Sequence, residues 1–391
     1  MKKNLLIIPS APIWKVGDKF FFDRKFYDGI IFYCNTWNGG VQLILRLAEC
    51  SPPEFGLVLF DEDIFPAKLT VVVGHELLTE MHIRNADIIL ASGDNYKNLG
   101  LSAIAKKSAI RCVYSIENIL KTRFQIINMA NVSYWQKLKS FVWVALNEFK
   151  RREAFKLSDG IQANGVPAYD AYNKLSENTL LYFDSRNSAD AHITESELNA
   201  RLLTLDNNAP LRLGFSGRLI AMKGVSHLIE MAMVLKNKKI NFTLDIFGGG
   251  ELAPFLGKKI KEYQLEELVT LRGNVNFSTE LIPFVKTSLD LFVCCHRQSD
   301  PSCTYLETYA CGVPIIGYAN QAHQGILDRF DVGWSVAVDN VNELADKVVY
   351  LNRHREEIKR KAINAKKFSS EHTFEQTFSR CIEQCNVLAG E

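Results

Sequence analysis

The chain has 391 residues, of which 47% are hydrophobic, and its 46 Lys and Arg nearly balance its 44 Asp and Glu. At about 150 residues per domain this length predicts two or three domains, and 23 Gly with 11 Pro are too few for a collagen-like or disordered chain. No apolar run approaches the ~18 residues that span a bilayer, and a net charge of +2 excludes a generally basic surface for nucleic acid.

The amino-terminal apolar stretch stops at Pro9, which is too short for the core of a secretory signal. A cytoplasmic location is therefore expected. The nine cysteines show no zinc-type pairing, and we expect them to be reduced packing residues.

Short apolar runs rich in branched residues alternate with helical patterns in the first half of the chain, which predicts a parallel sheet with crossover helices. Helices are predicted at 41–50 and 134–156. The predicted strands are residues 4–8, 57–60, 69–73, 87–91, 110–114, 160–163 and 179–182.

The helix at 134–156 belongs to a basic stretch. Between Lys121 and Lys156 there are eight Lys and Arg against two Glu, a local charge of +6. Helical spacing predicts a core stripe, made of Trp135, Leu138, Val142, Ala145 and Phe149. Lys139, Trp143 and Lys150 share another face, which suits either an anionic membrane surface or plain solvent.

After a polar segment, a second alternating series starts at residue 211. Its predicted strands are residues 211–216, 242–247, 268–271, 289–294, 313–316 and 334–338. The pattern predicts two doubly wound α/β domains facing a cleft, 1–186 and 210–367, joined by a linker at 187–209. A last helix within 368–391 is expected to pack back toward the amino-terminal domain.

Two strand-to-helix turns carry candidate phosphate ligands. Gly217-Arg218-Leu219 is followed by Lys223 and a helical pattern, so two cations adjoin a helix start, where N–H groups attract anions. A solvated basic turn is the alternative. A glycine turn that begins at Gly248 also follows a strand and could let a nucleotide approach the backbone. A plain strand-to-helix turn is the alternative.

The segment 294–314 runs from a strand end through a polar loop into a short helix. Ser302, Cys303 and Thr304 are predicted to start that helix and to offer N–H groups to an anion. Glu307 lies one turn later, where a carboxylate suits the hydroxyls of a ribose. As alternatives, Asp300 and Glu307 could be a capping acid and a surface acid.

In order and spacing, the motifs of residues 211–330 resemble glycosyltransferase family four, retaining nucleotide-sugar enzymes with the GT-B fold. The matching stretches are Gly217-Arg218-Leu219 with Lys223-Gly224, and residues 244–250, 271–275 and 307–316. The resemblance implies that Arg218 and Lys223 hold the diphosphate of a UDP-sugar and serve catalysis, that Glu307 binds the ribose, and that the backbone of Gly273, Asn274 and Val275 reads the base. It requires no metal and no resident cofactor, because the sugar nucleotide is a co-substrate.

One family position differs. The family pattern is Glu-x7-Glu, and the place of the first Glu, which contacts the donor sugar, is taken here by Ser299. Asp300, one residue along, is the expected substitute, so the identity of the sugar stays open.

The amino-terminal half resembles the family less closely. Gly39-Gly40 matches its glycine loop over the donor phosphates, and Glu117 follows a predicted strand where many members place a histidine. Glu117 is expected to receive the acceptor proton or to steady positive charge at the anomeric carbon. Residues 10–36 form an aromatic-rich loop that either contacts an acceptor or is simply buried.

The predicted activity is retaining, metal-independent hexosyl transfer to a hydroxyl of a glycan or lipid-linked saccharide, as in polysaccharide or glycolipid biosynthesis. A GT-B epimerase, a pyridoxal-dependent phosphorylase and a non-catalytic nucleotide- or glycan-binding subunit are the alternatives.

Overall fold

The computed structural model describes residues 2–53, 56–206, 209–299 and 301–390. Within these ranges the chain divides into two compact units. Unit 1 comprises the residues up to Tyr182 together with those from Glu375 on, and unit 2 runs from Phe183 to Phe374.

The strands of unit 1 are β1 (Leu5–Ile8), β2 (Trp14–Val16), β3 (Lys19–Asp23), β4 (Val41–Arg46), β5 (Leu57–Leu59), β6 (Lys68–Val72), β7 (Ile88–Ser92), β8 (Arg111–Ile116), β9 (Gly160–Asn164) and β10 (Thr179–Tyr182). Its helices before residue 183 are α1 (Arg24–Thr36), α2 (Glu80–Ile83), α3 (Leu101–Lys107), α4 (Leu120–Met129), α5 (Tyr134–Leu157) and α6 (Gly165–Tyr172).

A parallel sheet forms the centre of unit 1, with the strand order β10–β9–β8–β7–β1–β4–β6. Leu5 of β1 pairs with Val41 on one side and with Ile88 on the other. Every residue of β1 is buried, as expected for a central strand covered on both faces. The order reverses direction at β1, so this is a doubly wound sheet, as predicted.

The helix predicted at 41–50 is wrong, because residues 41–46 form β4. This strand lies between β1 and β6, with Leu43 paired to Leu69. A parallel strand that is buried on both faces reads as a continuous apolar run, and periodicity alone cannot distinguish that run from a helix.

The prediction of a loop at residues 10–36 is also wrong. This segment contains β2 and β3, which form an antiparallel sheet with β5, and then helix α1. Phe22 is fully buried there, with its ring centroid 5.2 Å from that of Phe65 and 5.5 Å from that of Phe60. Burial therefore accounts for the centre of this aromatic cluster.

Helix α5 faces the opposite way from the prediction. The expected core residues Trp135, Leu138, Val142, Ala145 and Phe149 are exposed. The buried face carries Val144, Ala154 and Phe155 together with the polar Asn147, Glu148 and Arg151. Arg151 donates to Glu148 Oε2 at 2.7 Å and to the carbonyl of Gly93 at 2.9 Å. These partners allow charged side chains into the core.

The strands of unit 2 are β11 (Leu211–Ser216), β12 (Phe242–Phe247), β13 (Val269–Gly273), β14 (Leu291–Cys294), β15 (Ile315–Tyr318) and β16 (Gly333–Val336). Its helices are α7 (Glu195–Thr204), α8 (Val225–Asn237), α9 (Ala253–Glu262), α10 (Ile282–Ser288), α11 (Cys303–Ala310), α12 (Gln321–Leu327), α13 (Val341–Arg353) and α14 (Arg355–Ser370).

These strands form a second parallel sheet in the order β13–β12–β11–β14–β15–β16. The order again reverses, at β11 and β14, and this switch point is where α/β sheets bind ligands. Segment 187–209, expected to be a linker, belongs to unit 2 and carries α7.

The helix expected within 368–391 is the end of α14 followed by α15 (Phe374–Ala389). Helix α15 packs on unit 1, where the Phe378 ring lies 5.8 Å from that of Tyr33 and Gln162 donates to the carbonyl of Cys381 at 2.8 Å. In the described ranges, no helix combines the length and the hydropathy needed to cross a bilayer.

Candidate functional site

The turns after β11, β12 and β13 meet at one edge of the unit 2 sheet. These strands are parallel neighbours, so their carboxyl ends lie together. Backbone hydrogen bonds then join the turns: Gly217 N–H donates to the carbonyl of Phe247 at 3.1 Å, and Gly248 N–H donates to that of Gly273 at 2.8 Å.

Gly248 makes this close approach possible. Its φ is +116°, and a Cβ at this position would lie 2.0 Å from the carbonyl oxygen of Gly217. No L side chain fits such a contact, so the two turns can approach each other only with glycine here.

A cavity of about 270 Å³ opens above these turns. It brings together five residues predicted from the motifs: Gly217, Arg218, Gly248, Asn274 and Val275. Ser216, Phe247, Gly249 and Leu281 complete the lining. The Arg218 side chain is exposed, so its guanidinium is accessible to a ligand that enters the cavity.

Lys223 lies in the short 3-10 turn before α8 and does not line the cavity. It is buried, and its Nζ is 3.4 Å from Nδ1 of His296. Gly224, with φ +62°, lets this turn pass the Cys295 carbonyl, which a Cβ would meet at 2.2 Å. Burial, and then the charge of Lys223, hold the pKa of His296 well below its usual range. His296 is therefore neutral, and its Nδ1 can accept from the ammonium group.

Helix α11 begins where the sequence predicts, with Ser302 as its N-cap and Cys303 and Thr304 in its first turn. The Ser302 side chain does not cap the helix. Glu307, one turn along, is buried and forms an ion pair with Arg186, with Nε 3.2 Å from Oε1. Burial is the largest single influence on Arg186 and lowers its pKa, but Glu307 acts together with Cys303 and Asp184, and their combined effect raises the pKa of the guanidinium.

Ser299 is buried in the loop before α11, and its hydroxyl accepts from the Gln321 N–H at 3.3 Å. Its side chain therefore contributes to fixing the start of α12. Asp300, the predicted substitute for the family glutamate, lies outside the described residues.

In unit 1, Glu117 follows β8 at the carboxyl edge of the sheet, as expected. Its backbone N–H donates to Asp94 Oδ2 at 2.9 Å, and Asn164 Nδ2 lies 3.4 Å from its Oε2. Asp94 also pairs with Arg123 at 2.6 Å, so the turn that carries Glu117 is held by a carboxylate.

Gly39 and Gly40, which were predicted to cover the donor phosphates, lie just before a strand of unit 1 and not after one. The two glycines precede β4, and the Leu5 N–H donates to the carbonyl of Gly40 at 2.9 Å. They therefore lie at the amino edge of the parallel sheet, opposite to the edge where Glu117 lies. A Cβ on Gly39 would meet the Lys3 carbonyl at 1.9 Å, so tight packing explains a glycine there.

Sequence reasoning missed Arg186, Asp94 and His296. Asp94 comes two residues after β7, a position that could have marked it as an edge residue. Arg186 carries no comparable signal, because its partner Glu307 is distant in sequence. Across the described part of the chain, no group of three or more His, Cys, Asp or Glu is placed to hold a metal ion. Metal independence stays a prediction.

Residues 204–368 match the model of the family described as Glycosyl transferases group 1. A curated relative is the GtfA subunit of the UDP-N-acetylglucosamine–peptide N-acetylglucosaminyltransferase of Streptococcus gordonii, 20% identical over 185 residues. That alignment covers 47% of this chain, and the chain spans only 35% of the relative's length.

Solved structures that resemble the whole chain include the following two. HepE from Anabaena, solved with UDP and glucose, superposes with a TM-score of 0.62 at 16% identity and covers 100% of both chains. Sucrose-phosphate synthase from Thermosynechococcus elongatus gives 0.64 at 13% identity and covers 98% of both. The chain thus has the two Rossmann-like α/β domains of the GT-B glycosyltransferases, with the group 1 match on unit 2.

Proposed function

We propose that this protein is a retaining glycosyltransferase of family four, which transfers a hexosyl group from a UDP-sugar to a hydroxyl of a glycan or lipid-linked saccharide. One observation carries the proposal: the cavity at the ends of β11, β12 and β13 is lined by Gly217, Arg218, Gly248, Asn274 and Val275. The group 1 match over residues 204–368 and the UDP and glucose named with HepE support it.

The cavity suits the nucleoside diphosphate. Arg218 presents a fork of N–H donors that fits phosphate oxygens, and the glycine turns allow backbone contact. Asn274 and Val275 offer backbone groups to the edge of a uracil. Lys223 adds a positive charge behind the turn of Arg218, and the amino end of α11 adds its dipole.

Glu307 is proposed to accept hydrogen bonds from the ribose hydroxyls. In this structure Arg186 is paired with it, so the bound nucleotide would share or displace that guanidinium. Glu117 is proposed as the residue that contacts the acceptor, because it directly follows β8 at the carboxyl edge of unit 1's sheet.

In the transfer, the bond between the anomeric carbon and the diphosphate oxygen breaks, and the acceptor oxygen bonds to the same face of that carbon. The acceptor proton passes to the leaving diphosphate. Arg218 and Lys223 would stabilise the negative charge that grows on the diphosphate, which is a form of electrostatic catalysis.

The test is UDP release from a panel of UDP-sugars, with and without glycan and lipid-linked acceptors, in buffer that contains a chelator. We expect acceptor-dependent release of UDP and a product with the donor's anomeric configuration, read by NMR. Arg218→Ala should abolish the acceptor-dependent release of UDP. Lys258→Ala, at an exposed position on α9, is the matched control and should leave it unchanged.

Two outcomes would overturn the proposal. Conversion of the UDP-sugar to an epimer without acceptor would identify an epimerase. Binding of UDP with no turnover of any donor, at any acceptor, would identify a nucleotide-binding subunit.

A further inference from the structure

Helix α5 exposes a row of large apolar side chains, here called the α5 stripe. It consists of Trp135, Leu138, Val142, Leu146 and Phe149. Trp135 is 71% exposed, Leu146 61% and Phe149 68%. At 1.5 Å per residue the stripe is about 21 Å long. Contiguous apolar surface of this kind marks an interaction site.

The core of unit 1 does not need the stripe. The opposite face of α5 is the one that packs inward, and it includes the ion pair of Arg151 with Glu148, whose Oε2 also accepts from the Tyr172 hydroxyl at 3.0 Å. A helix that buries a paired charge while it exposes tryptophan and phenylalanine departs from the usual pattern. Such departures are expected at functional surfaces.

The neighbouring helix α4 also exposes apolar side chains. Helices α4 and α5 pack together, and Lys137 Nζ donates to the Asn128 carbonyl at 2.7 Å, which ties the two. Ile126 and Met129 on α4 and Val132 in the connection are exposed as well.

The two helices that carry these apolar residues also carry exposed basic side chains. Lys121, Lys139, Lys150, Arg152 and Lys156 are exposed, and Glu153 is the exposed acid of the stretch. Lys139 and Lys150 lie next to the stripe on the helix surface, and in the described residues neither has an ion-pair partner. The total chain charge of +2 therefore conceals a strongly basic apolar face.

The charge selects one occupant. A second copy of this chain would bring the same lysines against each other, which is repulsive. An anionic bilayer offers both a negative surface to the lysines and an apolar boundary to the stripe. Tryptophan is the residue that favours this boundary.

We propose that the α5 stripe and its lysines dock this protein on the surface of an anionic membrane. Trp135, Leu146 and Phe149 enter the headgroup region, and Lys139 and Lys150 bind the lipid phosphates. The proposal does not rest on sugar transfer, because vesicle binding is measured without any donor.

The test is flotation of the full chain with phosphatidylcholine vesicles, with and without about one-third phosphatidylglycerol. We expect binding only to the anionic vesicles, with a blue shift of tryptophan fluorescence. The double variants Trp135→Gln/Phe149→Gln and Lys139→Glu/Lys150→Glu should each bind at least about tenfold more weakly.

Two matched controls should bind like the wild type. Leu77→Gln/Met81→Gln changes equally exposed apolar residues of unit 1, and Lys106→Glu/Lys107→Glu changes exposed lysines of α3. All variants are checked for cooperative unfolding.

Three results would overturn the proposal. One is an absence of binding to anionic vesicles, and another is equal binding by the Trp135→Gln/Phe149→Gln variant. The third is a dimer that dissociates in that variant while vesicles are not bound, which would assign the stripe to self-association.

Discussion

His323 is fully buried in unit 2, with its ring stacked 5.5 Å from that of Tyr305 and its Nδ1 3.1 Å from the Tyr318 carbonyl. Since a carbonyl only accepts, Nδ1 carries the proton of the neutral ring. Burial lowers the pKa of His323 to about 4. Burial also lowers the pKa of the nearby His296.

Burial of His323 makes the folding stability depend on pH. The unfolded chain takes up the proton near pH 6.5, whereas folded His323 takes it up near pH 4, so stability is present above pH 6.5 and is lost as pH falls toward 4. Between pH 7.5 and pH 5 His323 should lower the free energy of unfolding by about 2 kcal/mol. Urea unfolding at both pH values measures this.

The variant His323→Phe keeps a ring against Tyr305. Its free energy of unfolding should differ less between pH 7.5 and pH 5 than that of the wild type, by about 2 kcal/mol. His75→Phe, at an exposed position, is the control and should leave the difference between the two pH values unchanged. An unaltered pH dependence in His323→Phe would contradict the assignment.

Motif residues of the candidate site could be predicted one by one. Gly217, Arg218, Gly248 and Asn274 lie in short local patterns, and each is found at the cavity. The pair Arg186–Glu307 and the contact of Lys223 with His296 could not be predicted, because they join segments that only the folded sheet brings together.

At the scale of elements, the parallel strands were predictable because branched apolar runs alternate with helices. Strand β4 and helix α5 show the limit. A strand buried on both faces has no period, and a helix with two contrasting faces does not say which face is inside. On α5 the buried face includes Glu148 and Arg151, which bond to each other, and Glu148 also accepts from Tyr172.

The turn after β12 offers an element-scale prediction. Gly248→Ala places a Cβ 2.0 Å from the Gly217 carbonyl at φ +116°, so the β11 and β12 turns must separate. We expect the free energy of unfolding to fall by at least about 2 kcal/mol, measured by urea denaturation, and UDP affinity to fall with it.

Gly257→Ala is the matched control. Gly257 lies within α9, and the nearest atom to an added Cβ is 3.8 Å away. Alanine should raise stability there by about 0.5–1 kcal/mol. Equal effects of the two substitutions would show that the Gly248 turn is not constrained.

At the scale of the whole molecule, the length predicted two or three domains and the alternating pattern predicted two α/β domains, but the net charge concealed how the charge is arranged. The near-neutral total combines exposed Arg218 at the unit 2 cavity with a basic apolar face on α5 of unit 1. We assign the first to a nucleoside diphosphate and the second to a lipid surface, so a donor site and a membrane site are placed on different units of one chain.

The central claim is that the cavity of unit 2 binds the nucleoside diphosphate of the donor, and calorimetric titration with UDP tests it most directly. We predict that one UDP binds per chain, that Arg218→Ala binds at least about tenfold more weakly because charge-assisted hydrogen bonds are lost, and that Lys258→Ala binds equally well. The claim would be contradicted if the wild type did not bind UDP, or if Arg218→Ala bound it with unchanged affinity.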